Sequence, residues 1–176
     1  MRKVILGAGI SLDGYIARAD GGIDFLKPPK DYSMAELFST IDVIAFGRKT
    51  YDEAVRLGGG KYRAPMQMPT YVFSKTVSPG KRGGVIFMRQ SPARFVNAIR
   101  KHEGKHIFVM GGGELARSFL AADVVDELRL GVYPVLLGDG IPFFPRGFPQ
   151  REFQLVESKH YEPDGFLALR YVRARL

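Results

Sequence analysis

HIFVMGGGELARSFL, residues 106–120, joins a short apolar run to three consecutive glycines and then to a helical pattern. The apolar residues Ile107 to Met110 predict a buried strand, and helical spacing begins at Glu114. Glycines at such a turn let a ligand approach the backbone, and the helix that follows presents unpaired N–H groups and the positive end of its dipole. The segment therefore predicts a phosphate site for a nucleotide cofactor. The glycines by themselves leave a second interpretation open, in which the chain makes a tight turn that holds no ligand.

Strand and helix patterns alternate on both sides of this turn. The spacing of apolar residues predicts helices over 32–41, 51–56, 92–102 and from 114 onward, and strands over 4–10, 43–46, 70–74, 84–88, 107–110, 127–133, 153–160 and 166–173. Residues 11–26 are predicted to form a loop, because Asp-Gly pairs punctuate them. Early alternation of strands and helices, followed by a strand pair, indicates an α/β fold with a mostly parallel sheet and an antiparallel C-terminal edge.

Length and composition limit the class of protein. The 176 residues, 45% of them hydrophobic, predict one compact domain over 1–176. No apolar run approaches the roughly 20 residues that span a bilayer, and we expect a cytoplasmic protein with no membrane partner. The chain has no cysteine, and its three histidines lack metal-ligand spacing, so no metal site is expected. The net charge of +8 is dispersed along the chain, which favours an anionic small molecule over nucleic acid.

Two further segments carry cations and hydroxyls at predicted strand ends. They are Phe46-Gly-Arg-Lys-Thr50 and Phe73-Ser-Lys-Thr76, and either would suit phosphate or form a solvated turn. Because the carboxyl ends of parallel strands meet at one edge of a sheet, we expect both segments to converge with the glycine turn. The segment Ser11–Ala17 could close over a ligand as a lid, or form a turn that Asp13 stabilises. Residues 134–144 are apolar enough to pack in the core, line a pocket or form an oligomer interface.

The order of these segments resembles the dihydrofolate reductase-like superfamily, in the branch that includes the C-terminal reductase domain of riboflavin biosynthesis. The resemblance covers nearly the whole chain and rests on Ser11-Leu-Asp-Gly-Tyr-Ile-Ala17, Phe46-Gly-Arg-Lys-Thr50, Val72-Phe-Ser-Lys-Thr76, Met110-Gly-Gly-Gly-Glu-Leu115, Val125-Asp-Glu-Leu-Arg-Leu130 and Pro134-Val-Leu-Leu-Gly-Asp-Gly140. It implies a three-layer α/β/α fold around a sheet of about eight strands, NADPH as the cofactor and a homodimer. The implied activity is that of a reductase similar to 5-amino-6-(5-phosphoribosylamino)uracil reductase.

The same resemblance implies which residues hold the cofactor. Arg48 and Lys75 match positions near the adenosine 2′-phosphate, and residues 111–115 match the turn that holds the pyrophosphate. Two residues of the first loop, Ile16 and Ala17, match positions beside the nicotinamide. The complete implied set is Ile16, Ala17, Gly47, Arg48, Lys49, Thr50, Ser74, Lys75, Gly111, Gly112, Gly113, Glu114 and Leu115.

On the substrate side the resemblance is less complete. Phe25, beside Asp24, corresponds to a tryptophan that walls the substrate pocket of dihydrofolate reductases. Asp31 lies near the position of their pterin-binding carboxylate, but the preceding Lys27-Pro-Pro-Lys30 and a missing strand threonine disfavour pterin chemistry. Hydride transfer also needs a proton, for which Asp13 is the first candidate and Asp31 another.

We therefore expect an NADPH-dependent reductase of a small carbonyl, imine or pterin- or pyrimidine-like compound. The alternative is a non-catalytic nucleotide-binding or regulatory module. A carboxylate that faces the nicotinamide would favour the enzyme, and a wholly apolar pocket would favour the module.

Overall fold

The computed structural model of the protein describes residues 1–174. Its helices are α1 (Ala35–Thr40), α2 (Arg48–Leu57), α3 (Pro92–Arg100) and α4 (Gly113–Ala121). Its strands are β1 (Val4–Ser11), β2 (Tyr15–Ala17), β3 (Ile41–Gly47), β4 (Thr70–Phe73), β5 (Gly80–Arg82), β6 (Val85–Met88), β7 (His106–Val109), β8 (Glu127–Tyr133), β9 (Ile141–Pro142), β10 (Phe153–Tyr161) and β11 (Phe166–Arg173).

Nine of these strands form one sheet in the order β10-β11-β8-β1-β7-β3-β4-β6-β5. The six strands from β8 to β6 are parallel, while β11 and β10 add an antiparallel edge after β8. This arrangement confirms the predicted fold class. Of the nine strands in this sheet, β5 was not predicted, because its three exposed residues show no apolar alternation.

Apolar residues that alternate along the central strands build a helical layer on each face of the sheet. Leu6 and Val109 face a core that includes Phe119 of α4 and residues of α3. The intervening residues, among them Ile5 and Phe108, face the opposite core together with α1. The chain therefore has the three-layer α/β/α architecture, since helices cover both faces of a largely parallel sheet.

Several element boundaries differ from the predicted ones. Helix α1 begins at Ala35 rather than at Tyr32, because the Tyr32 ring packs against Phe166 at a centroid distance of 4.9 Å. Ser33 Oγ accepts a hydrogen bond from the Ala35 N–H at 3.1 Å, while the N-cap residue itself, Met34, makes no side-chain capping bond. Ser91 is the N-cap of α3, and its Oγ accepts a hydrogen bond from the Arg94 N–H at 3.4 Å. No helix within residues 1–174 is long and apolar enough to cross a membrane.

Candidate functional site

The adjacent strands β3 and β7 end at a point where the chain leaves the sheet in two opposite directions. After Gly47 it enters α2, which packs on one face and leads to β4. After the glycine turn it enters α4, which packs on the other face and leads to β8 on the far side of β1. In open α/β sheets such a divergence opens a crevice at the carboxyl ends of the strands, where ligands bind. We call the space between residues 47–50 and 111–115 the β3–β7 crevice.

Backbone contacts hold the two sides of this crevice together. The Gly47 N–H donates a hydrogen bond to the Gly111 carbonyl oxygen at 3.0 Å. A Cβ atom on Gly112 would lie 2.9 Å from Thr50 Oγ1 and 3.6 Å from the terminal methyl carbon of Ile16. The structure thus brings together residues from β2, α2 and the glycine turn, as the cofactor-binding set requires.

Each glycine of the turn meets a different structural requirement. Gly111 has a φ of +64°, a conformation that side-chain-bearing residues rarely adopt. Gly112, joined to Gly111 by a cis peptide bond, has an ordinary φ of −73° and is constrained by space alone. Gly113 packs so closely against the carbonyl oxygen of Pro142 that a Cβ there would collide with it. The packing of the chain itself therefore requires glycines in this turn, whether or not a ligand binds there. The sequence alone could not distinguish this structural role from a ligand-binding role.

The crevice is electrostatically suited to an anion. Gly47 and Gly112 are the N-cap residues of α2 and α4 and have no side chains with which to cap the first turns. No N-cap side chain therefore occupies the N–H groups of those turns, and both helix dipoles direct their positive ends to the same place. A pyrophosphate group fits this donor set, which the backbone of residues 48–50 and 113–115 would supply.

Cations and hydroxyls border the crevice on the β4 side. The β3–β4 register pairs Gly47 with Phe73, so Ser74 and Lys75 follow at the same edge of the sheet. Ser74 is buried, and its hydroxyl oxygen accepts hydrogen bonds from the backbone N–H groups of Thr76 and Val77 at 3.2 and 3.0 Å. The exposed ammonium of Lys75 has no carboxylate partner within residues 1–174.

Arg48 has a partner that the sequence interpretation missed. Its Nε atom donates to both carboxylate oxygens of Asp52, at 2.8 and 2.6 Å, and this hydrogen bond raises the pKa of Arg48. The i,i+4 spacing of the two residues on a helix was the available signal. A cofactor phosphate that approaches Arg48 must compete with this exposed ion pair.

The predicted loop 11–26 is pinned beside the crevice by a second, two-stranded sheet. Within it, β2 pairs with β9, which places Ile16 next to the glycine turn, while the buried Ala17 is paired with Ile141. The Phe143 N–H donates to the Gly14 carbonyl oxygen at 2.9 Å, and the buried Phe143 ring would lie 3.7 Å from a Cβ on Gly111. Residues 134–144 therefore contribute one core residue, Phe143, while Leu136 remains 71% exposed.

Asp13 forms hydrogen bonds that connect the loop 11–26 to residues 134–144. Its carboxylate accepts hydrogen bonds from Ser11 Oγ at 2.6 Å, from the Gly138 N–H at 2.8 Å and from the Leu137 N–H at 3.1 Å. The Ser11 hydroxyl is the main cause of a lowered pKa of Asp13, and the two backbone donors add to it. A carboxylate held in its ionised form by three donors matches the turn-stabilising role better than that of an acid.

The other predicted substrate-side residues lie outside the crevice. Arg18 donates to both oxygens of Asp24, at 2.7 and 2.9 Å, and the hydrogen bond lowers the pKa of Asp24. Phe25 packs edge-on against Tyr133 at a centroid distance of 6.3 Å. Asp31 is exposed and lines a cleft of about 280 Å³ between the start of α1 and strands β8, β11 and β10.

A family model and a relative from Bacillus subtilis both match most of this chain. The model of the RibD C-terminal domain matches residues 2–167 of this chain. The uncharacterized protein YwjB of Bacillus subtilis strain 168 is 33% identical over 177 residues, which cover 98% of this chain and 99% of YwjB.

Solved structures share the fold over nearly all of the chain. A protein named for riboflavin biosynthesis from Shewanella sp. PV-4 superposes with a TM-score of 0.85 at 25% identity, covering 98% of this chain and 99% of that one. A diaminohydroxyphosphoribosylaminopyrimidine deaminase/5-amino-6-(5-phosphoribosylamino)uracil reductase from Thermotoga maritima superposes with a TM-score of 0.73 at 15% identity. That match covers 98% of this chain and 57% of the Thermotoga protein.

Proposed function

This chain belongs to the RibD C-terminal domain family, and on that basis we propose that it is an NADPH-dependent reductase of a small carbonyl, imine or pyrimidine-like compound. The observation that carries the proposal is the β3–β7 crevice. Two helices begin there with glycine N-caps, on opposite faces of the sheet and within one hydrogen bond of each other. Such a crevice provides what the pyrophosphate of a dinucleotide needs, namely backbone donors and positive helix ends.

Different residues around the crevice would bind different parts of the cofactor. The backbone of residues 47–50 and 111–115 would hold the pyrophosphate, and Thr50 Oγ1, which lies 2.9 Å from the Cβ position of Gly112, would add a hydroxyl. Arg48 and Lys75 would meet the 2′-phosphate that only NADPH carries, since charge-assisted bonds are the stronger ones. Ile16 and Ala17, held in place by β9, would lie beside the nicotinamide. NADPH itself supplies the hydride when bound.

Two of the similar structures guide the choice of substrate class. One is named for riboflavin biosynthesis, and the other includes a reductase of a phosphoribosylaminouracil. A pyrimidine with a phosphorylated sugar is anionic, and it is compatible with the net charge of +8 on this chain. We therefore include a pyrimidine-like compound in the proposed substrate class.

The test is to titrate the purified protein with NADPH and NADH, and then to follow NADPH oxidation with candidate acceptors. The acceptors are 5-amino-6-(5-phosphoribosylamino)uracil and a panel of small carbonyl and imine compounds. We expect saturable NADPH binding and oxidation that depends on an acceptor. Binding without oxidation by any acceptor would favour the non-catalytic nucleotide-binding module, and absence of NADPH binding would refute the proposal.

A further inference from the structure

Five aromatic residues form a cluster on the α1 face of the sheet, at the carboxyl ends of β1 and β8. We call Phe25, Tyr32, Tyr133, Tyr161 and Phe166 the aromatic cluster. The Phe166 ring centroid lies 4.8 Å from that of Tyr133 and 4.9 Å from that of Tyr32, so the rings form one connected group. Tyr133, Tyr161 and Phe166 are each less than a tenth exposed.

Two glycines in the strands below make room for these rings. A Cβ on Gly9 would lie 2.9 Å from the Tyr133 ring, and one on Gly131 would lie 2.8 Å from the Phe166 ring. The parallel β1–β8 register pairs Gly9 with Gly131 and Ser11 with Tyr133. Tyr133 therefore lies over the backbone of β1 at its carboxyl end, where a larger residue than glycine would displace it.

Strand topology places this cluster beside the proposed cofactor site. Strand β1 lies between β8, which ends at Tyr133, and β7, which ends at the glycine turn. The segment that leaves β1 runs through Ser11 to Ile16, whose terminal methyl is 3.6 Å from the Cβ position of Gly112. Tyr133 therefore lies at the end of β8, on one side of β1, and the turn that would hold the pyrophosphate follows β7, on the other side.

Two carboxylates near this edge, Asp13 and Asp24, are already engaged. Asp13 accepts three hydrogen bonds and Asp24 is paired with Arg18 at both oxygens, so both remain ionised at neutral pH. Neither has a proton to give to a substrate. The reduction of a C=O or C=N bond nevertheless needs one proton for each hydride.

We propose that Tyr133 supplies that proton, through its phenolic O–H, to the oxygen or nitrogen of the bond that is reduced. This inference rests on the proposed reductase function. A hydride from the reduced nicotinamide forms the new C–H bond, and the π electron pair moves to the heteroatom. The phenol proton then forms the O–H or N–H bond, and the phenolate recovers a proton from water. The nicotinamide is oxidised by two electrons and the substrate is reduced by the same two.

The surroundings of Tyr133 keep its phenol neutral. Burial is the main cause that raises its pKa to about 12, and the nearby Tyr32 hydroxyl adds to the effect. The phenol therefore keeps its proton throughout the physiological range. Its hydroxyl makes no hydrogen bond with any group within residues 1–174, so a substrate that reaches it would displace no protein partner. The other titratable groups of the cluster are Tyr32 and Tyr161. Burial raises the pKa of Tyr32, and the positive charge of Arg129 in β8 opposes this increase.

The experiment compares Tyr133→Phe with Tyr161→Phe. Each variant removes one hydroxyl from the same buried cluster, so packing changes are matched. We expect Tyr133→Phe to lower the rate of NADPH oxidation by roughly 10²- to 10⁴-fold, the usual contribution of a general acid. The NADPH dissociation constant should stay within about twofold, because the pyrophosphate site is untouched. Tyr161→Phe should retain the wild-type rate.

A second readout does not depend on turnover. In protein labelled with ¹³C at the tyrosine Cζ, one of the eight tyrosine resonances is assigned to Tyr133 by its loss in Tyr133→Phe. We expect that resonance to shift when 5-amino-6-(5-phosphoribosylamino)uracil is added to the complex with NADP⁺, which cannot transfer hydride.

The possible outcomes separate this inference from the proposed function. A wild type that reduces an acceptor, with Tyr133→Phe at the same rate and no shift of the Tyr133 resonance, would overturn the role of Tyr133 alone. A wild type that binds no NADPH, or reduces no acceptor, would overturn the reductase function and this inference with it. Loss of rate in both variants would also count against Tyr133 as the specific donor.

Discussion

Gly47→Ala separates the ligand role of the β3–β7 crevice from its role in packing. Gly47 has a φ of −75°, which alanine adopts without strain, and an added Cβ would meet no atom closer than 3.5 Å. The nearest three atoms belong to Gly112, Leu115 and Gly111, at 3.5, 3.6 and 3.8 Å, all ordinary contact distances. The methyl group therefore fits the unliganded protein, yet it points at the start of α4, where the pyrophosphate would lie.

The expected change in stability is small because two effects oppose each other. Loss of glycine from the unfolded chain stabilises the folded state by roughly 0.4–1 kcal/mol. Alanine is a poorer N-cap than glycine, which costs a similar amount, about 0.5 kcal/mol. Since 1 kcal/mol moves the melting temperature by about 2–4 °C for a chain of this size, we expect a shift of no more than a few degrees.

The expected change in cofactor binding is large. A methyl group in the crevice would hold the pyrophosphate away from backbone donors, and a charge-assisted hydrogen bond contributes about 1.5–3 kcal/mol. Loss of one such bond weakens binding at least tenfold. Circular dichroism melts and calorimetric titration with NADPH measure the two quantities in the same preparation. Unchanged NADPH affinity in a folded Gly47→Ala protein would refute the assignment of the crevice to the cofactor.

Further substitutions test the charges. Arg48→Ala should weaken NADPH roughly tenfold or more and leave NADH nearly unchanged, whereas Asp52→Asn, which frees Arg48, should tighten NADPH slightly; equal losses for both cofactors would remove Arg48 from the 2′-phosphate role. Glu127 is 2% exposed between two arginines, whose hydrogen bonds outweigh the opposing effect of burial and lower its pKa. The stabilisation that ionised Glu127 provides is therefore complete above pH 4.5 and is lost as the pH falls through the lowered pKa. Glu127→Gln should lower the free energy of unfolding, measured in urea melts, by about 3–5 kcal/mol at neutral pH but by little in acid. Asp13→Asn should speed proteolysis within residues 134–140 while the rate of NADPH oxidation falls less than that of Tyr133→Phe; a steep loss of turnover with an intact loop would restore Asp13 as the acid.

The convergence of the cofactor segments was predictable because it depends only on strand order and direction. Once residues 43–46 and 107–110 are assigned to neighbouring parallel strands, Gly47 and the glycine turn must meet at one edge. Resemblance to a known family supplied the proposed cofactor, NADPH, which no local pattern identifies. The hydrogen bond between Gly47 and Gly111 is the structural expression of that arrangement.

What could not be predicted depends on contacts between distant or very short segments. The pairing of β2 with β9 joins residues about 125 positions apart, and neither segment is long enough to show strand periodicity. The aromatic cluster likewise depends on Gly9 lying beneath Tyr133, which requires the register of β1 and β8. Asp13 was recognised as either an acid or a turn residue, and only its three hydrogen-bond donors distinguish the two.

A crystal structure of the protein grown with NADP⁺ tests the central claim most directly. We predict that the pyrophosphate accepts hydrogen bonds from backbone N–H groups at the starts of both α2 and α4, within residues 47–50 and 111–115. Cofactor bound elsewhere on the protein, with the β3–β7 crevice free of it, would contradict the account.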